Sequence, residues 1–204
     1  MREKLYIPYP VIVEGKYDKI RLDSVMVGQI VQTDGFSLFN GEQKQKLLRR
    51  LAEKCRIIVL TDSDGAGKLI RSKIASLIPK DRLIQLYIPK IEGKERRKQK
   101  ASAEGTLGVE GMETEVLYGI LAPYAVSVEG DMQDAERARA EYFENPLSPT
   151  DFYIDGLSGG ENSRKKRDDF ALSLGLPTGM SAGALLAATK LLLTYEEYLK
   201  KMGR

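Results

Sequence analysis

The chain contains no histidine and a single cysteine. Without histidine there is no Ser-His triad, no imidazole acid/base catalyst and no His-ligated zinc. Any bound metal must then be held by oxygen ligands, which favours magnesium, with manganese as the alternative. One cysteine, Cys55, cannot close an internal disulfide. Placed between a polar helix and an apolar strand, it suits a reduced, intracellular protein. Long hydrophobic runs are also missing. The longest apolar tract, GMSAGALLAATKLLL, is broken by Lys190 and falls short of the ~20 residues that cross a bilayer. The opening stretch MREKLYIPYPVIVEG has no secretory hydrophobic region before its first acidic residues. The expectation is a cytoplasmic protein with no membrane partner. The net charge of +3 does not announce a nucleic-acid binder, so the local placement of charge matters more than its sum.

What is present is an ordinary globular composition, 42% hydrophobic and 30% charged over 204 residues, enough for one α/β domain and a smaller appendage. VIVEG (11–15) reads as a short buried strand ending in Glu14-Gly15. KYDKIRLDSVM then reads as a helix, with Ile20 and Leu22 as core contacts, and GQIVQTDG (28–35) as a second strand. EQKQKLLRRLAEK (42–54) is the clearest helix, with Leu47, Leu48 and Leu51 as its apolar stripe. RIIVLTDSD (56–64) is a third strand. The next helix carries Ile70, Ile74, Leu77 and Ile78 and stops at Pro79, and RLIQLYIP (82–89) is a fourth strand. ETEVLYGILAPY (113–124) is a further helix. This alternation predicts an α/β fold with a mostly parallel four-stranded sheet flanked by helices. The expected layout is a catalytic domain over 1–125, a linker or connecting helix over 126–148, and a small helical accessory domain over 149–204.

In such sheets the working residues collect at the carboxyl ends of the strands. Glu14 ends one strand, and Asp62 and Asp64 end another. Two carboxylates at i and i+2 on a strand end share a face, and like charges there are unfavourable unless a cation neutralises them. An oxygen-only site completed by water and a phosphate fits a hard divalent ion. Glu14 would serve as general acid/base or as a further ligand. The plainer alternative is that Asp64 merely caps the following helix. Other motifs fail on context. An EF-hand needs a Glu at its twelfth position, where this chain has Lys73, and a P-loop needs a Gly where this chain has Asp62. LSGGE (157–161) matches a transporter-ATPase signature that is meaningless without a P-loop. GGENSRKKR is better read as a glycine turn, an Asn/Ser cap and a basic helix start.

Residues 90–100 hold six basic residues against two acidic ones, a local charge of +4. Lys90, Lys94, Arg96, Arg97, Lys98 and Lys100 would contact phosphates without reading sequence. The plainer alternative is a solvated loop. Glu110, in LGVEG, is either a further metal ligand or a loop residue. Arg164, Lys165, Lys166 and Arg167 are either RNA contacts or a solvated face. The tyrosines are scattered, with no stacking platform evident.

VIVEGKYDKIRL, QTDGF, IIVLTDSDGAGKLIRSKI and LGVEG, in that order, resemble a Toprim domain. With the C-terminal GL, GG and NS elements, they resemble the ribonuclease M-five family, which matures 5S ribosomal RNA. The resemblance covers nearly the whole chain. It implies a Toprim, Rossmann-like fold and magnesium-dependent hydrolysis of phosphodiester bonds in structured, double-stranded RNA, with the 5S ribosomal RNA precursor as substrate and a ribosomal protein as a partner. It also implies Glu14 as acid/base or ligand and Asp62 and Asp64 as metal ligands. Lys16 and Asp18 would lie beside them, with Lys16, Lys68 and the two basic segments on the RNA. The family has DPD and PGEK where this chain has DSD and GAGK, and the loop over 90–105, with EGKERRKQKASAEG, looks closer to a clostridial relative of the maturase. The chemistry therefore carries over better than the substrate. The competing readings are a Toprim protein that binds nucleic acid without cutting it, in ribosome assembly, and a DNA-acting Toprim enzyme. The second lacks a strand-passage domain and a zinc module.

Overall fold

The computed structural model describes residues 3–33, 40–93, 105–126 and 145–204. Its main sheet has strands β2 (Val11–Val13), β4 (Ile30–Gln32), β5 (Ile57–Thr61) and β6 (Leu83–Tyr87) in the order β4-β2-β5-β6, all parallel. VIV and IIVLT are apolar throughout, or nearly so, because both faces of this sheet are covered and every residue of these two strands is buried. A second, two-stranded parallel sheet, β1 (Leu5–Tyr6) with β3 (Met26–Val27), had no sequence signal of its own. Two residues per strand are too few to show a period.

Side chains alternate between the two covers. Ile57 and Val59 enter one core with α2 (Gly41–Lys54) and α3 (Gly65–Ala75). Ile58 and Leu60 enter the other core with α1 (Lys16–Asp23) and α4 (Thr114–Leu121). Each fully buried aliphatic side chain contributes about 1.5–3 kcal/mol. Of the two core contacts expected on α1, Leu22 is fully buried and Ile20 is 53% exposed. On so short a helix only one narrow stripe faces the sheet.

Helix boundaries follow local chemistry. Asn40 caps α2, accepting from the Gln43 amide at 2.9 Å while the Gln43 side chain accepts from the Asn40 amide, a reciprocal capping box. The C-terminal helices are α5 (Pro149–Ile154), α6 (Ser163–Ser173), α7 (Ala182–Leu192) and α8 (Tyr195–Met202). At the start of α6, Asn162 adopts φ 62 and its side chain makes no cap bond, unlike the cap expected from its sequence. Phe152, Phe170 and Tyr198 pack at 5.9–6.4 Å between ring centroids. They belong to the same buried cluster as Leu47, Leu48 and Leu51 of α2. The last carbonyls of α7 find donors across this contact: the Gln29 amide on Lys190 at 3.3 Å and the Lys54 ammonium on Leu192. Cys55 lies nearby, and burial pushes its thiol pKa up, as for an unreactive structural cysteine.

The strand order decides where a site can form. The chain leaves β2 for β4 on one side, then jumps back across β2 to β5 on the other. Its connecting helices consequently lie on opposite faces, and in such sheets ligands bind at this switch point, here outside the carboxyl ends of β2 and β5. Glu14 follows one of these strands and Asp62 the other.

Candidate active site

Glu14 leaves β2 half-buried, with its Oε2 inside the protein. Its backbone is pinned by Thr33, whose hydroxyl donates to the Glu14 carbonyl at 2.8 Å. Asp62 leaves β5 and turns toward the segment Gly108–Gly111. The Val109 amide donates to Asp62 Oδ1 at 2.7 Å. Gly108 lies so close that a Cβ there would stand 2.3 Å from Asp62 Oδ2. Its φ of −85° and ψ of −176° suit any residue, so the carboxylate, and not the backbone, demands glycine.

Asp64 caps α3, with Oδ1 accepting from the Gly67 amide at 2.9 Å. Asp64 thus makes the helix cap through one carboxylate oxygen, Oδ1. Gly67 is needed for packing, because a Cβ there would stand 2.1 Å from the Asp62 carbonyl oxygen. Gly65 has open space around it. Of the two, only Gly67 is therefore demanded by an internal contact.

Asp18 is the carboxylate that sequence reasoning undervalued. It is buried, and its Oδ2 accepts from the Gly15 amide at 3.0 Å. The Glu110 amide also donates to it, so one side chain ties the Glu14-Gly15 turn to the Gly108–Gly111 segment. Burial is the largest influence on it and, with repulsion from Asp62 and Glu110, raises its pKa to about 6 against these two hydrogen bonds. One turn further along α1, Arg21 Nε donates to the Met112 carbonyl at 2.8 Å and Nη2 to Thr114 Oγ1 at 3.2 Å. The local signal was available: Asp18 stands three residues after the Gly15 N-cap, where a carboxylate reaches back to the cap amide.

On the other side, Arg71 is 5% exposed and has carbonyl partners in place of a carboxylate. Its Nη2 donates to Thr61 at 3.0 Å and to Leu86 at 2.5 Å, stapling the ends of β5 and β6 beside Asp62. Ser63 Oγ donates to the Ile88 carbonyl at 3.0 Å and secures the same edge.

Lys16 and Lys68, at the starts of α1 and α3, are exposed near these carboxylates, and Lys90 is exposed beyond β6. Lys94, Arg96, Arg97, Lys98 and Lys100 lie outside the described residues. Arg164, Lys165 and Lys166 are exposed at the start of α6. Arg167 turns inward, donating to the Leu157 carbonyl at 2.9 Å and the Met180 carbonyl at 3.4 Å.

Asp62 and Glu110 both lie close enough to Asp18 to repel it. Among the described residues, however, no three acidic side chains converge to enclose a metal ion. The donors are all oxygen, and one or two carboxylates with the remaining positions left to water and phosphate is the usual manner in which magnesium is held. The site fits such an ion and does not fit a closed structural metal.

The Toprim domain family matches residues 10–86, the span from β2 through β6. That stretch of the chain is similar to a Toprim domain. The domain holds Glu14, Asp18, Asp62 and Asp64, whereas Glu110 lies beyond the matched span. The chain is similar to ribonuclease M5 of Lactococcus lactis subsp. lactis, 27% identical over 179 residues that cover 82% of each chain. It is also similar to ribonuclease M5 of Borreliella burgdorferi, 35% identical over 75 residues that cover 37% of this chain and 40% of that one. Among solved structures, a small Toprim domain protein from Bacillus stearothermophilus matches at 22% identity and a TM-score of 0.38, over 63% of this chain and 93% of that one. Among the described residues, no helix is long and apolar enough to cross a membrane.

Proposed function

We propose that this protein is a magnesium-dependent endoribonuclease that hydrolyses phosphodiester bonds in structured, double-stranded RNA, with the 5S ribosomal RNA precursor as its substrate in the cytoplasm. The observation that carries the reading is the gathering of Asp18, Asp62 and Glu110 beside Glu14, where the strand order opens the Toprim crevice. A buried carboxylate repelled by two neighbouring ones, as Asp18 is, is characteristic of functional sites. The similarity to ribonuclease M5 chains supports the choice of RNA.

In this reading Asp62, with Asp64 and Glu110, holds the ion. A bound divalent ion would neutralise charge on the scissile phosphate and make a nucleophile available from water. Glu14 Oε accepts the proton of the attacking water. Asp18 keeps the Glu14-Gly15 turn and the Glu110 backbone at a fixed separation, and Arg71 fixes the end of β5. Lys16 and Lys68 receive the flanking phosphates. The segment around Lys94, Arg96, Arg97, Lys98 and Lys100, with Arg164, Lys165 and Lys166 of the C-terminal helices, grips the duplex by backbone and shape, as A-form RNA is generally held. Residues 1–125 would form the catalytic unit and 149–204 the accessory unit, with a ribosomal protein presenting the substrate.

A cleavage assay on precursor 5S RNA, with magnesium varied, tests this. The expected result is magnesium-dependent cuts that Asp62→Ala abolishes. Wild type and Asp62→Ala equally inert on every structured RNA would overturn the enzyme reading in favour of a binding-only Toprim protein.

A further inference from the structure

Glu110 lies beyond the Toprim match, yet its backbone is tied down on both sides. It sits in a single turn over Val109–Gly111. The Val109 amide donates to Asp62 Oδ1 at 2.7 Å, and the Glu110 amide donates to the Asp18 carboxylate. Past the turn, Arg21 Nε donates to the Met112 carbonyl at 2.8 Å and Arg21 Nη2 to Thr114 Oγ1 at 3.2 Å. Asp18 and Arg21 stand three residues apart on α1, so they share one face of that helix. That face grips the segment at two points, one at Glu110 and one after it.

Packing alone does not set this geometry. Val109 is fully buried and Met112 is 1% exposed, and both belong to the core that holds Leu22 of α1. Two apolar anchors fix the depth of the turn. Apolar contact is non-directional, however, and leaves rotation about the line through them. Hydrogen bonds are directional, and the rigid Arg21 fork, bonded to two acceptors, removes that rotation. The restraint works against electrostatics. Glu110 is near enough to Asp18 to repel it, and a free turn would relieve the repulsion by swinging away.

We propose that Arg21 is the positioning residue that holds the Glu110 turn against Asp62 and Asp18, so that the Glu110 carboxylate joins the ligands of the divalent ion. This rests on the ribonuclease reading above and deepens it. In this role Arg21 touches neither the ion nor RNA and acts only through the backbone it holds. Partners that orient metal ligands in this way are worth about tenfold to a hundredfold in metal affinity.

The test is a double-mutant cycle on the full chain, read by Mn2+ binding in electron paramagnetic resonance without RNA. Arg21→Met and Glu110→Gln should each weaken Mn2+ binding about tenfold to a hundredfold. The double variant should bind no more weakly than Glu110→Gln alone. Arg21→Met that binds Mn2+ as tightly as wild type overturns the proposal, and so does a double variant whose loss is the product of the two single losses. A merely structural Arg21 would lower the melting temperature and leave the Mn2+ affinity of the folded protein unmoved. Should Arg21→Met fail to fold, Arg21→Lys, which can keep one of the two bonds but not both, takes its place in the cycle with the same outcomes. Glu110→Gln that binds like wild type, while Asp62→Ala loses Mn2+, removes the proposal and leaves the ribonuclease reading standing. Wild type that binds no Mn2+ also overturns the proposal, and if it cleaves no RNA the ribonuclease reading falls with it.

Discussion

Gly108→Ala offers a sharp test of how the site is assembled. The backbone at Gly108 lies in a region open to alanine, so the substitution carries no conformational penalty. By restricting the unfolded chain it would even stabilise by about 0.4–1 kcal/mol. The obstacle is a single side chain. The new methyl would stand 2.3 Å from Asp62 Oδ2 and 2.8 Å from Cγ and Oδ1, all well inside contact distance. The carboxylate must move by about an ångström, which stretches or breaks the bond from the Val109 amide. A hydrogen bond to a charged group is worth about 1.5–3 kcal/mol, but Asp62 is half-buried and water recovers part of it. The net change in stability should therefore stay within about 2 kcal/mol. Activity is far more sensitive, since a misplacement of that size costs on the order of a hundredfold. The assay is single-turnover cleavage at saturating RNA, alongside thermal melting. Gly65→Ala, with open space around it, should leave both measurements near wild type. Gly67→Ala meets the Asp62 backbone oxygen at 2.1 Å and should lose several kcal/mol of stability. Full activity in Gly108→Ala, or loss of activity only through unfolding, would refute the claim that Asp62 is held against this segment for catalysis.

Asp18 has a folded pKa of about 6 against an ordinary 3.8, so its ionisation opposes folding, and wild type loses stability as pH rises through that window. Asp18→Asn should gain up to about 3 kcal/mol at pH 7.5 in EDTA, with little gain at pH 3.5, while cleavage falls. Urea melts at the two pH values check this, and an equal gain at both would contradict it. Arg71→Met removes the donor that holds the Thr61 and Leu86 carbonyls and should cost about 2–4 kcal/mol in urea unfolding, and a loss under 0.5 kcal/mol would count against the staple. Replacing Arg164, Lys165 and Lys166 together by alanine should weaken RNA binding regardless of sequence. It should also flatten the slope of log affinity against log salt by about 2–3, whereas an unchanged slope would place the RNA elsewhere.

Much of the fold was legible because its signals are local. The runs VIV and IIVLT, the stripe Leu47, Leu48 and Leu51, and the Asp64 cap each depend on residues within a few positions. The structure forms these elements close to where the pattern set them. The parallel sheet follows from their alternation. The carboxylates at the ends of β2 and β5 were equally visible, because a strand's end can be read from where its apolar run stops.

What the tertiary structure alone decided concerns partners far apart in the chain. Asp62 is held by the Val109 amide, 47 residues away, and Arg21 by the Met112 carbonyl, 91 residues away. No period or spacing encodes such pairs. Strand order determines that β2 and β5 are neighbours, and with it that Glu14 and Asp62 follow adjacent strand ends. Burial sorted side chains that are alike in sequence. Ile20 went to solvent and Leu22 to the core, and Arg167 turned inward while Arg164 stayed outside. Burial also raised the pKa of Asp18. Residue type fixes which chemistry is available; desolvation and the nearness of other charges, set only when the chain closes on itself, determine which residue carries it.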